Sequence, residues 1–149
     1  MKSLKIWSLM LLLAMAVVGC DNDGDGDAII PAEMVGKWHI ESWCGGEPEF
    51  DVYLEFSKNG TFNIYQQTWK FTYQHFTGVC SVNNGVLSGV YSDGSSWIAN
   101  YEYSVANSKL TLTNTLDSYE TSTYAACTIP AEVIREATTT RCEDVTPFL

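Results

Sequence analysis

From Gly36 onward, apolar and polar residues alternate with a period of two, and turn residues break the alternation every eight to twelve positions. Successive side chains of an extended chain point to opposite faces, so this pattern predicts antiparallel strands with one buried face. Trp38, Ile40 and Ser42 share a face of the first strand. Phe50, Val52, Leu54 and Phe56 alternate with Asp51, Tyr53 and Glu55 on the second. Lys58-Asn59-Gly60 turns the chain into Thr61–Gln67, with Phe62 and Ile64 inward. A fourth strand is predicted over 71–82 and a fifth over 86–92, separated by the turn Asn83-Asn84-Gly85. Asn and Gly supply the positive φ that such turns need. After Asp93-Gly94, a sixth strand carries Trp97, Ala99, Tyr101, Tyr103 and Val105, a seventh Leu110 and Leu112, and an eighth runs over 119–128.

Eight meandering strands can close on themselves, which removes exposed edges. The expected fold is therefore all-β, a single eight-stranded antiparallel up-and-down barrel, its interior filled by side chains or holding one small ligand. Ile30-Pro31-Ala32-Glu33 and Ile129-Pro130-Ala131-Glu132 both place proline and glutamate where a short helix begins, so brief helical segments are expected before and after the sheet.

The start of the chain has a different pattern. Lys2 and Lys5 precede an apolar run from Ile6 to Val18, then Gly19 and Cys20. That run has thirteen residues, whereas crossing the hydrocarbon core takes about twenty helical residues, so residues 1–19 read as a signal peptide. Val17-Val18-Gly19-Cys20 resembles the lipobox of bacterial lipoproteins. The resemblance implies cleavage before Cys20 and a membrane anchor of three acyl chains on that cysteine; two or more hold firmly. Residues 20–29 form an acidic tether, and residues 30–149 form the domain. Acidic residues just behind the cysteine are similar to signals that sort lipoproteins to the outer membrane, on its periplasmic side or at the cell surface. Asp21, Asp23, Asp25 and Gly26 also copy the first half of a calcium loop. Ala32 stands where its bidentate glutamate belongs, so a solvated spacer is the favoured reading.

Beyond residue 19 there are six Lys and Arg against eighteen Asp and Glu, a net charge of −12. Phosphate backbones would be repelled, so nucleic acid is an improbable partner. Four cysteines remain beside Cys20: Cys44, Cys80, Cys127 and Cys142. An even count in an exported chain predicts two disulfides, with three connectivities possible. Cys127 with Cys142 is the favoured short bridge, which leaves Cys44 with Cys80. No C-x-x-C occurs and neither His39 nor His75 lies at zinc spacing, so no metal and no cofactor is expected.

Gly36-Lys37-Trp38, after a short helix and opening the first strand, resembles the G-x-W signature of lipocalins. With the lipobox, the Phe56-to-Phe62 hairpin and eight strand-like segments, the stretch 30–128 is similar to the lipocalin-like (calycin-type) domains of bacterial lipoproteins. That resemblance implies a calyx-shaped barrel, with Gly36 and Trp38 as its structural motif and Trp38 plugging the closed end.

Catalysis is not expected, because no nucleophile with a base and no converging carboxylates stand out. His39 and Glu41 read as outer-face residues, His75 as a partly exposed sheet residue, and Glu47 and Glu49 as a solvated loop pair. Two classes of function remain. One is a barrel that binds a small apolar or glycan ligand at its open end, with Trp43 and Trp69 at the rim. The other is a surface interaction module for an envelope protein, as inhibitor or accessory subunit, with the barrel packed solid. An interior cavity of several hundred Å³ favours the first, and a filled interior with an exposed apolar patch favours the second. On the anchor, Cys20→Ala is expected to abolish labelling by a palmitate analogue and to move the protein from the membrane to the soluble fraction. Unchanged fractionation of an unlabelled wild type would refute the lipid.

Overall fold

The computed structural model describes residues 29–149. The signal peptide 1–19, the anchor Cys20 and the rest of the tether lie outside the described residues. Eight strands follow one another: β1 (Gly36–Trp43), β2 (Asp51–Phe56), β3 (Thr61–Gln67), β4 (Gln74–Asn83), β5 (Val86–Tyr91), β6 (Tyr101–Ala106), β7 (Lys109–Asn114) and β8 (Thr121–Ala126). Each pairs antiparallel with the next, and β8 pairs with β1, closing the barrel as the alternation requires. The inward apolar residues expected for β1 to β3 are buried, including Val52, Leu54, Phe62 and Ile64, except Phe50, which precedes β2 and is half-buried at the wide end.

The two ends differ. At the narrow end, Pro31 leads into a 3₁₀ turn (Ala32–Met34) that seats Met34 and Ile30 beneath the barrel. Trp38 is buried there, and its Nε1 donates to the Met34 carbonyl at 3.0 Å. Gly36 turns the chain into β1 with φ 148°, a conformation that favours glycine. The segment before the turn is pinned beside the β2–β3 hairpin, with the Ile29 N–H on the Lys58 carbonyl at 3.2 Å.

Toward the other end the wall opens. β1 and β2 pair from Gly36↔Phe56 to His39↔Tyr53 and then part, because an irregularity at Ile40/Ser42 commits the rest of β1 to β8. The loops 44–50, 68–73, 92–100 and 115–120 all lie at this wide end.

Three segments depart from the expected strands. Residues 71–73 belong to the loop, since β4 begins at Gln74. β8 begins at Thr121 and not at Tyr119. The sixth strand is broken: Ser96 and Trp97 still bond to β5, but Ile98-Ala99-Asn100 bulges out opposite Ser88 before β6 starts at Tyr101. Trp97 nevertheless faces inward and is buried, so the alternation located its face but not the interruption.

After β8, α1 (Ala131–Glu136) lies outside the barrel, where Ile129 and Val133 cover Tyr53 and Tyr65. A two-residue strand, β9 (Thr138–Thr139), then pairs parallel with Gln74 and His75 of β4, beyond the last β5 pair at Tyr91↔Gly78.

Gly89 makes room for the indole that fills the break. A Cβ there would stand 2.3 Å from Trp97 Cε2. Gly89→Ala is therefore expected to cost about 1–3 kcal/mol by overpacking. Gly46→Ala, whose nearest neighbour would be 3.8 Å away, serves as the control with little effect. Urea unfolding of both variants checks this.

Candidate functional site

The interior is occupied from end to end. Trp38, Leu54, Phe56, Phe62, Leu110 and Tyr124 fill the narrow and middle levels, with Trp97 and Tyr101 above. Residues 140–149 then cross the wide mouth. The Cys142 N–H donates to Asp93 Oδ2 at 2.9 Å; Pro147 and Leu149 are buried; Phe148 packs against both Trp43 and Phe50. The rim expected to be open is covered by the chain itself.

Outside this plug, the parting of β1 and β2 leaves an open groove of about 1060 Å³. His39 and Glu41 of β1, Asp51 of β2, the loop 45–50 and Gln67, Thr68, Lys70 and Phe71 line it, without Trp69. Asp51 is fixed at its floor: His39 Nε2 lies 2.5 Å from Oδ1, and the Tyr73 hydroxyl donates to Oδ2. Burial first, then the bond to Asp51, raises the Tyr73 phenol well above its ordinary value, so it stays protonated and remains a donor. His39 is also stacked on Tyr53 at 4.4 Å. Every member of the cluster is thus held by another member, and neither Ser nor Cys is bonded to the imidazole. Glu41 is paired with Lys109 at 2.6 Å. Among the described residues, no three His, Cys, Asp or Glu side chains converge as metal ligands.

Trp43 and Trp69 occupy different settings. Trp43 ends β1 and packs edge-on against Phe50 at 5.4 Å, leaving part of its ring in water. Trp69, in the loop 68–73, is 86% exposed. No protein-family model and no curated protein matches the chain. The site is therefore read from geometry alone.

The rim carries more exposed apolar residues than the two tryptophans. Phe71 stands free beside Trp69, Leu116 and Tyr119 are exposed on the loop 115–120, and Ile98 projects from the bulge. All belong to connections at the wide end. The sequence signal for Phe71 and Tyr119 was their place beside turn residues, which strand alternation had absorbed.

The two expected disulfides are absent: all four cysteines are free thiols. Their positions forbid the favoured bridge. The Cys127 N–H is bonded to the Lys37 carbonyl at the narrow end, whereas Cys142 is bonded to Asp93 at the wide end. Cys44 is exposed at the wide end of β1, while Cys80 faces the interior of β4 opposite Gly89. An even count carried no information about proximity.

Burial pushes the Cys80 thiol up to about 12 and, with Asp93 nearby, Cys142 up to about 11. The thiolate is the reactive form, so at pH 8 a group of pKa 12 offers about one thiolate in ten thousand. In the native Cys20→Ala protein, alkylation at pH 8 is expected to modify exposed Cys44 first and Cys80 only after unfolding, with four thiols titrating in denaturant. Mass spectrometry of the labelled peptides would read the order. Fewer than four denatured thiols would contradict this arrangement.

Proposed function

We propose that this protein is a lipoprotein interaction module: a lipocalin-like barrel, lipidated at Cys20 and carried on the outer membrane, that binds a protein partner at its wide end and does no chemistry. The observation that carries the reading is the placement of exposed apolar side chains. Trp69, Phe71, Leu116 and Tyr119 all crown the end opposite the one where the chain enters at Ile29. A filled barrel does not need these residues for its core, and each one left in water forgoes the gain of burial, about 25 cal/mol per Å². Exposed apolar residues on loops mark interaction surfaces, and here two loops on opposite sides of the mouth each carry a pair.

Charge narrows the partner. Glu47, Glu49, Asp117 and Glu120 stand on the same loops, with Lys70 the one cation of the loops 44–50, 68–73, 92–100 and 115–120. Glu47 and Glu49 have no ion-pair partner among the described residues. A cationic face on the partner complements such a rim and would make association salt-dependent.

The groove favours a second reading, in which the ligand is a glycan. Phe50 and Phe71 could stack on sugar faces while Glu47 and Glu49 accept hydroxyl hydrogen bonds. Such a ligand would lie against the wall, in the parting of β1 and β2.

A photo-crosslinking residue in place of Lys70, in intact cells, tests the first reading. Discrete protein adducts are expected, abolished by Trp69→Ala with Phe71→Ala and weakened as ionic strength rises. A crosslinker at exposed Val79, on the β4 wall, should give none. Equal adducts at both positions, or adducts indifferent to the two substitutions, would refute the crown. A glycan array with the same variants separates the second reading.

A further inference from the structure

Gln66 is completely buried on the inner face of β3, at the wide end of an otherwise apolar barrel. A buried amide left without partners costs about 1–3 kcal/mol, so its partners explain its presence. Its Nε2 donates to the Thr146 carbonyl at 3.0 Å and to Thr68 Oγ1 at 3.2 Å, and its Oε1 accepts from the Phe148 N–H at 2.7 Å. Carbonyl of one residue and N–H of the second residue on is the pattern by which a neighbouring strand is paired. The side chain of Gln66 thus reads an extended main chain without regard to sequence.

The other contacts have the same character. The Tyr91 hydroxyl donates to the main-chain oxygen of Leu149. Pro147 and Leu149 are buried at alternate positions, Val145 packs against the core, and Phe148 enters the aromatic recess of Trp43 and Phe50. No residue after Thr139 forms a strand in the barrel wall. The segment sits in the mouth as a ligand sits in a site.

One recognition group there is unused. Gln74 pairs with Gln66 across β3 and β4 and is 4% exposed. Its Nε2 is bonded to the Thr72 carbonyl, but its Oε1 has no donor. The chain's own residues fill the mouth without satisfying this acceptor, which a ligand bearing an extra N–H or O–H would do.

We propose that the wide mouth is a binding site for an extended peptide with apolar side chains at alternating positions, occupied in cis by residues 145–149 and able to take such a peptide in trans. Recognition runs through Gln66 and Tyr91 to the main chain and through the Trp43–Phe50 recess to one aromatic side chain. This site is separate from the exposed crown and stands whether or not the crown binds a partner.

The test uses the full chain with a protease site inserted between Thr140 and Arg141, cleaved after folding. A fluorescein-labelled peptide of the sequence 141–149 is then added and followed by anisotropy and by near-ultraviolet circular dichroism. The labelled peptide is expected to enter the cleaved protein but not the uncleaved one, to be displaced by unlabelled peptide, and to leave the aromatic signal of the barrel intact. Gln66→Met, which keeps the volume, and Gln66→Glu, which keeps an acceptor but removes the donor to Thr146, should each weaken peptide binding at least tenfold. The proposal is overturned if the cleaved protein never exchanges its segment, if the segment leaves only as the barrel unfolds, or if both Gln66 variants bind the peptide as the wild type does.

Discussion

Closing eight strands encloses a volume that side chains must fill, and the rest of this structure follows from how that filling is achieved at each level. Eight strands leave an interior just wide enough for side chains. At the narrow end Trp38 and Met34 complete it, locked by the indole N–H on the Met34 carbonyl. Half-way up, the strand opposite β5 is interrupted at 98–100, and the Trp97 ring occupies the gap against the bare backbone of Gly89. At the wide end β1 and β2 have parted, the cross-section is too large for strand side chains alone, and a separate segment brings Pro147 and Leu149 across it.

That filling determines where polar groups are tolerated inside. Gln66 and Gln74 face inward only at the level where main-chain groups of another segment or loop are within reach. Lower down the inward residues are apolar or aromatic, and the Tyr124 hydroxyl there has no hydrogen-bond partner. Burial raises the phenol of Tyr124, so it stays neutral and the barrel encloses no charge at that level. The same constraint acts on the outside of the wall. Tyr53 and Tyr65 point away from the interior and would be exposed, yet α1 returns to cover them with Ile129 and Val133. The outer face of β2 is therefore split, with Tyr53 covered and Asp51 left at the groove.

The barrel was legible in the sequence because strand alternation and Asn-Gly turns are local signals. Val52, Leu54 and Phe56 could face only one way once the period was two, and Asn59-Gly60 could only turn the chain. Trp97 shows the limit of that logic: its parity with Tyr101 is right, but parity survives a three-residue bulge opposite one residue, so the break was invisible. The plug was missed for a related reason. Val145, Pro147 and Leu149 alternate over too short a stretch to announce a partner, and the partner, Gln66, reads as an ordinary polar residue at a strand end. The cysteines failed differently, since pairing depends on distance between Cys127 and Cys142 through the fold and not on their separation along the chain. At the rim, Trp43 and Trp69 were found because tryptophan beside a loop is conspicuous. Phe71, Leu116 and Tyr119 needed the loop boundaries that only the folded backbone supplies.

The direction in which the chain enters gives the two ends different surroundings. Ile29 is bonded beside the hairpin at the narrow end. For a lipid on Cys20, nine residues at no more than about 3.6 Å each keep that end within roughly 30 Å of the membrane. β1 has eight residues, which at about 3.3 Å each and a tilt of about 40° separate the two ends by some 20 Å along the barrel axis. On the proposed anchor, a barrel standing with its narrow end toward the membrane would hold its acidic rim beyond the roughly 8 Å over which charge acts at physiological ionic strength. The narrow end, by contrast, is committed to holding Trp38 and Met34, with Ile29 half in water beside them. Packing concentrates at the end the chain enters, and freedom to display Trp69 and Phe71 is left to the opposite end.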